Sequence, residues 1–288
     1  MHSIRIAFCL MLATAATAQS MNVLSFNLRL PNPDDGANYW PHRKEMVASV
    51  IRFHQADIVG VQEAFRAQLD ELEGMLPAFD WFGHCRTDGS LAPVPDNEFS
   101  AILYRRDRFE RLDGRTFWLS PTPDSVGSIG WDAALPRVAT WVKLRDRRSQ
   151  QVFMVFNTHF DHRGAVAREE SAKLLLEQIR QIADTLPVVL TGDFNCYPDS
   201  PPYQVLTAED AGLADALHIS QQPHHGPMAT WTDGFKTAGA GGRIDFIFVG
   251  PGIRVHRHAA LSESWSGRLP SDHLPVFAEL SLPLRRGG

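Results

Sequence analysis

Eight polar residues, Asn27, Glu63, His159, Asp193, Asn195, Asp245, Asp272 and His273, each follow or interrupt an apolar run of β character. Carboxylate and amide oxygens suit a hard divalent ion such as Mg²⁺ or Mn²⁺, which keeps several waters and takes one or two carboxylates from protein. Zinc would ask for cysteine or clustered histidine. His159 and His273 lie far apart in sequence, each with an acidic residue near it, an arrangement suited to proton transfer and oxyanion stabilisation. Asp193 and Asn195 are two apart at the end of an apolar run, and on an extended chain such residues point the same way. An Asx-rich turn is the ordinary alternative for this pattern. Glu63 closes another buried run, where an unpaired carboxylate is costly and asks for a cation; the alternative is a Glu capping a helix over 68–76.

The elements that must hold these residues are short. Residues 21–30 read as a first strand with Asn27 near its carboxyl end, followed by a turn cluster at 31–36. A helical period over 40–53 places Met46, Val47, Val50 and Ile51 on one face, with Pro41 in the first turn and Arg43 as a structural ion-pair partner. Residues 56–64, 99–104, 115–119, 137–144, 151–158, 188–190, 243–249 and 276–280 read as strands, with 137–144 and 151–158 an adjacent antiparallel pair. A clear helical period at 168–186 has Leu174, Leu175, Ile179 and Ile182 on one face. Residues 120–136 and 221–242 are long loops. Many strands with few helices between them predict sheets packed on each other and covered by helices, not a doubly wound parallel sheet.

The 288 residues are 44% hydrophobic and carry no internal repeat or linker, so a single domain over 19–288 is expected. Residues 1–18 read as a removable secretory signal peptide. Arg5 precedes an apolar run too short to span a bilayer, and Ala16-Thr17-Ala18 is a small-x-small cleavage site. Export to the periplasm or the medium, as a monomer without a further membrane-spanning stretch, follows as an expectation. Loss of Arg5 takes the formal charge from −5 to −6. That balance, with no Lys/Arg run, gives no general attraction for a polyanion and counts against a nuclease. Cys85 and Cys196 remain after processing and are expected as free thiols.

Asn27, Gln62-Glu63, Asn157-Thr158-His159, Gly192-Asp193-Phe194-Asn195, Arg243-Ile244-Asp245 and Ser271-Asp272-His273 together resemble the ordered motif set of the endonuclease/exonuclease/phosphatase superfamily, over nearly the whole mature chain. WDAALPR at 131–137 with NTHFDHRG at 157–164 is similar to an exported bacterial branch of it. The resemblance implies an α/β four-layer sandwich, two mixed β-sheets face to face with helices outside. It implies Glu63 as principal metal ligand, assisted by Asn27 and by Asp272 through water, with Mg²⁺ or Mn²⁺ as the ion. Asp193 and Asn195 would position the attacking water and the phosphate, and His159 would bind a non-bridging oxygen. Asp245 would orient His273, and either His273 or Asp193 would take the proton.

Arg137, opening a strand after a flexible loop, is a further candidate for gripping phosphate, with a surface ion pair as its alternative. Asp161, His162 and Arg163 could line the pocket. Trp231 could stack on a base or sugar ring, or plug the core beneath its loop. His224 and His225 read as an exposed pair. The leading functional reading is a secreted, metal-dependent phosphoester hydrolase acting on a small phosphorylated substrate: a sugar phosphate, a nucleotide or a lipid headgroup. A secreted nuclease cleaving DNA or RNA is the second reading. A non-catalytic binding protein on the same scaffold is the third, opposed by the filled set of polar positions.

Overall fold

The computed structural model describes residues 19–92, 98–236 and 241–283. The expected signal peptide lies outside the described residues. The chain runs β1 (Ser20–Asn27), α1 (Lys44–Phe53), β2 (Ile58–Phe65), α2 (Arg66–Met75), β3 (Phe79–Phe82), β4 (Glu98–Arg105), β5 (Phe109–Trp118), β6 (Val138–Asp146) and β7 (Val152–His159). It continues through α3 (Ala165–Ala183), β8 (Val188–Asp193), α4 (Pro201–Thr207), β9 (Ala214–Asp215), α5 (Ala216–Ile219), β10 (Asp245–Val249), β11 (Arg254–Ala260) and β12 (Val276–Ser281). Two six-stranded sheets result, ordered β11-β12-β1-β2-β4-β3 and β5-β6-β7-β8-β10-β9.

Central strands are apolar on both faces because both faces are covered. Val23, Ile58, Val155, Val189 and Ile247 meet in one cluster that draws on both sheets and fills the layer between them. Their neighbours in sequence point the other way. Leu24 and Val59 pack with Val47 and Ile51 of α1 and Leu69 and Leu72 of α2. Phe156, Leu190 and Phe248 pack with Leu175 and Ile179 of α3 and Leu206 of α4. Helix, sheet, sheet, helix is therefore the layering, as the resemblance implied. Polar residues cross the middle layer around Asn157. Asn157 donates from Nδ2 to the carbonyls of Val61 and Ala101 on the opposite sheet, 2.8 and 2.9 Å away, and accepts from Gln62 at 2.6 Å. A Cβ at Gly60 would lie 2.0 Å from Thr191 Oγ1, so only glycine lets the sheets approach here.

Strand direction gathers the chemistry at one rim. β1 and β2 are parallel, and so are β7 and β8, so each pair ends on the same side. His159 is in register with Asp193, and Asp193 with Asp245 at the start of antiparallel β10. The loop entering β12 brings Asp272 and His273 to the same edge.

Several expectations need correction. The helix read over 40–53 is a 3₁₀ turn at Trp40–His42, with Pro41 inside it, and an α-helix from Lys44. Arg43 lies between them outside helical geometry because its side chain turns inward. It is buried and makes no ion pair among the described residues. Instead it donates to the carbonyls of Arg29 (2.7 Å), Asn38 (2.8 Å), Pro270 (3.1 Å) and Leu28. Burial without a carboxylate partner lowers its pKa to about 10. The strand read at 115–119 is the tail of a longer β5. β3 and β11 have no counterpart in the sequence reading, because FDWF and RVHRHAA lie at or near a sheet edge and carry polar residues there. Cys85 and Cys196 are free and buried.

Candidate active site

A cleft of about 620 Å³ opens at the rim where the strand ends converge. Glu63, His159, Asp193, Asn195, Asp272, His273, Arg137 and Trp231 all line it. Asn27 and Asp245 lie directly behind, bonded to those residues.

Glu63 reaches the cleft through a bulge. The register of β2 against β4 shifts between Val61 and Ala64, and Glu63 adopts a left-handed φ of 55°. This re-aims its carboxylate, which accepts from Asn27 Nδ2 (3.1 Å) and Leu30 N (3.0 Å). The helix-capping alternative fails, since Gln68 Oε1 takes the Phe65 N–H at the start of α2. Burial raises the Glu63 pKa, but the charges of His159 and His273 and the two donors outweigh it, and Glu63 is held below its ordinary value. Asn27 Nδ2 also donates to Asp193 Oδ2 at 2.9 Å, while its oxygen accepts from Arg29 N. In this arrangement Asn27 braces two carboxylates, whereas the resemblance implied that it offers an oxygen to a metal.

At the end of β8 both sequence readings hold at once. Asp193 Oδ1 accepts from Asn195 N at 3.0 Å, the Asx turn, and this turn puts Asn195 at φ 47°. Asn195 Nδ2 then donates to Phe160 O (3.0 Å) and lies 3.1 Å from His159 Nε2. Asp193 Oδ2 is 3.5 Å from His159 Nε2 and 3.8 Å from His273 Nε2. His273 Nδ1 donates to Asp245 Oδ2 at 2.9 Å, and Thr230 Oγ1 donates to the same oxygen at 2.6 Å. Burial alone would lower the His273 pKa, but Asp245, Asp193 and Asp272 together hold it well above its ordinary value.

Two groups of residues could hold a cation. Ligand atoms of Asp193, Asp245 and His273 lie within 4.8 Å of one another. His273 Nδ1 and Asp245 Oδ2 are already committed to each other in a hydrogen bond, and Asp193 Oδ2 stands 3.8 Å from His273 Nε2, so this trio is held together without an ion. Glu63 and Asp272 fit a hard ion better. Both face the cleft, and the Asp272 pKa is raised by burial and by the Glu63 charge despite His273, a crowding of carboxylates that a cation would relieve.

A model described as the Endonuclease/Exonuclease/phosphatase family matches residues 20–273. The chain belongs to that family. A family member from Bacteroides vulgatus has a solved structure with 39% identity and a TM-score of 0.86, covering 92% of this chain and 99% of that one. A mannosyl-6-phosphatase from Bacteroides thetaiotaomicron is 36% identical at a TM-score of 0.83, with 91% of this chain and 100% of that one covered. Nocturnin of Drosophila melanogaster is 28% identical over 59% of this chain and 26% of its own length. The chain spans 26–59% of the length of the curated relatives it matches.

Sequence reasoning missed other residues at this family site. Glu98, at the start of β4, is buried and accepts from Arg86 Nη1 at 2.5 Å, with His159 Nδ1 3.3 Å away. It stands before its apolar run, at 99–104, whereas Glu63 follows one, so the signal that marked Glu63 did not mark it. Burial raises its pKa, but Arg86 and His159 outweigh that and hold it ionised. Arg29, Arg86, Arg168 and Tyr197 also line the cleft, with no motif to mark them. A Cβ at Gly242 would fall 1.9 Å from the Tyr197 ring, so that ring rests directly on the glycine-rich loop carrying Trp231. Of the trio after His159, His162 lines the cleft, Asp161 is buried beneath Arg137, and Arg163 is exposed outside it.

A second cleft of about 710 Å³ is lined by His54, His224, His225 and His258. His225 is exposed as expected, but His224 is half-buried and pairs with His258, Nδ1 to Nδ1, at 2.9 Å. His224 Nε2 donates to Pro227 O, so its Nδ1 is the acceptor and His258 carries the hydrogen on Nδ1. The His258 Nε2 lone pair is left buried and without a partner among the described residues. Burial and the Arg243 charge push the His258 pKa down to about 3.

Proposed function

We propose that this family member is a divalent-metal-dependent phosphoester hydrolase acting on a small phosphorylated molecule, exported after removal of residues 1–18. The observation that carries the reading is the chain of contacts Asp245–His273–Asp193–His159 on the floor of one cleft, flanked by Glu63 and Asp272. The 36% identity to a mannosyl-6-phosphatase supports a phosphate ester of a small molecule.

Each residue has a task that follows from its surroundings. Asn195 and His159 present nitrogens to the non-bridging oxygens of the phosphate. Asp193 is braced by Asn27 and the Asn195 backbone with Oδ2 at the reaction centre, so it orients the attacking water and accepts its proton. His273, kept cationic by Asp245, donates to the charge developing on the phosphoryl group. Glu63 and Asp272 would hold Mg²⁺ or Mn²⁺, which when bound supplies neutralisation of charge on the phosphorus oxygens. Arg29, 3.8 Å from Asp272, keeps that carboxylate turned toward the cleft.

The test is a panel of sugar phosphates, nucleotides, sphingomyelin, plasmid and RNA, each with Mg²⁺, Mn²⁺ or EDTA. Phosphate or headgroup release from a small ester is expected, abolished by EDTA and cut about 10²–10⁴-fold by Asp193→Asn. Nicking of plasmid with no release from any small ester would overturn the reading in favour of a nuclease. Mass spectrometry of protein exported by a bacterial host should find Gln19 as the first residue.

A further inference from the structure

The side of the cleft beyond His159 is built differently from the metal side. Moving outward from Asp193, His159 meets Glu98, Glu98 meets Arg86 and Arg137, and Arg137 meets Asp161 and His162. Arg137 is only 4% exposed as a side chain. Its Nε donates to Asp161 at 3.2 Å and its Nη2 to His162 Nδ1 at 2.9 Å. Its Nη1, 3.9 Å from Glu98, has no hydrogen-bond partner among the described residues, and neither has Arg86 Nε. Unpartnered buried donors on charged groups are costly, and native structures leave them where a ligand or water completes them.

Two further features add to this. A guanidinium can only donate, so His162 Nδ1 is the acceptor from Arg137 and its Nε2 bears the hydrogen. His162 thus brings another donor to the same cleft. The formal charges do not balance either. Arg86, Arg137 and Arg168 face Glu98 and Asp161, and among the described residues the Arg168 side chain is bonded only to the Asp161 carbonyl. The flank carries a surplus positive charge in a protein whose overall charge is −5.

Resting on the hydrolase reading above, we infer that Arg86 and Arg137, aligned by Glu98 and assisted by His162, select a dianionic phosphomonoester over a phosphodiester. A diester offers two non-bridging oxygens and one negative charge, which Asn195, His159 and His273 can accommodate. A monoester near neutral pH offers a third terminal oxygen and up to a second charge. The orphan N–H groups and the surplus charge match that additional oxygen, and a guanidinium fork matches phosphate geometry. Glu98 is a positioning residue, since it holds the two arginines and His159 and itself repels phosphate.

The experiment reads binding and turnover separately. Calorimetric titration in EDTA compares orthophosphate with dimethyl phosphate. Orthophosphate should bind about 10–100-fold more tightly, the effect of one or two charge-assisted hydrogen bonds, and Arg137→Gln or Arg86→Gln should shrink that ratio to within about 3-fold. With Mg²⁺ or Mn²⁺, kcat/KM for a phosphomonoester relative to its methyl diester should fall about 10–100-fold in the same variants, while the diester changes little. Glu98→Gln should lower the same ratio and broaden the pH profile of monoester turnover, which a merely structural role would not do. If Arg137→Gln does not fold, Arg86→Gln carries the test, and free guanidinium should restore monoester turnover to Arg86→Gly. Equal binding of the two probes by the native protein, or equal losses on both esters in the variants, would overturn the inference and leave these donors to water. Native hydrolysis of diesters alone would sink monoester selection but not the hydrolase reading. Hydrolysis of no ester would sink the latter.

Discussion

His273 and His258 are both almost fully buried, yet their surroundings give them opposite charge states. His273 sits among Asp245, Asp193 and Asp272, and those carboxylates overcome the cost of burial so that the ring is held as the cation. His258 has His224 as its ring partner and Arg243 near it, and it stays neutral with a pKa near 3. Burial is common to both, so the difference lies in the sign of the neighbouring charges. A buried histidine keeps its proton where the fold has placed acid beside it. Elsewhere in the same molecule it is a polar core residue.

The largest effect that tests this contrast is expected from Asp245→Asn. Without the carboxylate the His273 pKa should fall, and turnover of a responsive ester should drop about 10²–10⁴-fold, whereas His258→Gln should leave turnover near the native rate. Similar rates in both variants would abolish the distinction.

Acid stability gives the next effect. The unfolded chain protonates His258 near 6.5 and the folded chain only near 3. Between those values the unfolded state binds the extra proton, so this residue's contribution is complete above 6.5 and is lost as the pH falls toward 3. The slope is at most about 1.4 kcal/mol per pH unit. Chemical denaturation from pH 7 to pH 4.5 should show this loss, and His258→Gln should flatten it; an unchanged slope would mean that the folded state protonates this ring readily. The smallest effect should come from Thr230→Val. It removes one donor to Asp245 and the acceptor of the Ile244 and Asp245 N–H groups, and should cost about 10-fold in turnover, with its substrate KM little changed. A rate within 2-fold of native would show that Asp245 needs only His273 to hold it.

The sequence marked one of these histidines and not the other. His273 lies in Ser271-Asp272-His273 just before an apolar strand, in order with the other motifs, and the resemblance assigned Asp245 to it. His258 lies in RVHRHAA, where alternating polar residues at a sheet edge carry no chemical signal. The same division runs through the cleft. Glu63, Asp193 and Asn195 were legible because each ends an apolar run. Glu98 stands before its apolar run and carried no such mark, and Arg86, Arg29 and Tyr197 lie in loops or turns whose local sequence fits a solvated surface equally well. Arg43 was read as an ion-pair partner because an arginine on a helix usually is one, and the four carbonyls that hold it come from segments as distant as Pro270.

By itself the sequence determined the layering and the rim. Strands apolar on both faces must be covered on both, and polar residues that end such strands must gather where the strands end, because side-chain period and strand direction are local properties. Only the tertiary structure decided which charges meet. The bulge that turns Glu63 into the cleft, the pairing of Asn27 with two carboxylates and the meeting of Arg86 and Arg137 at Glu98 beyond His159 all depend on contacts between distant segments. Electrostatic interaction follows distance in space, and distance along the chain does not predict it.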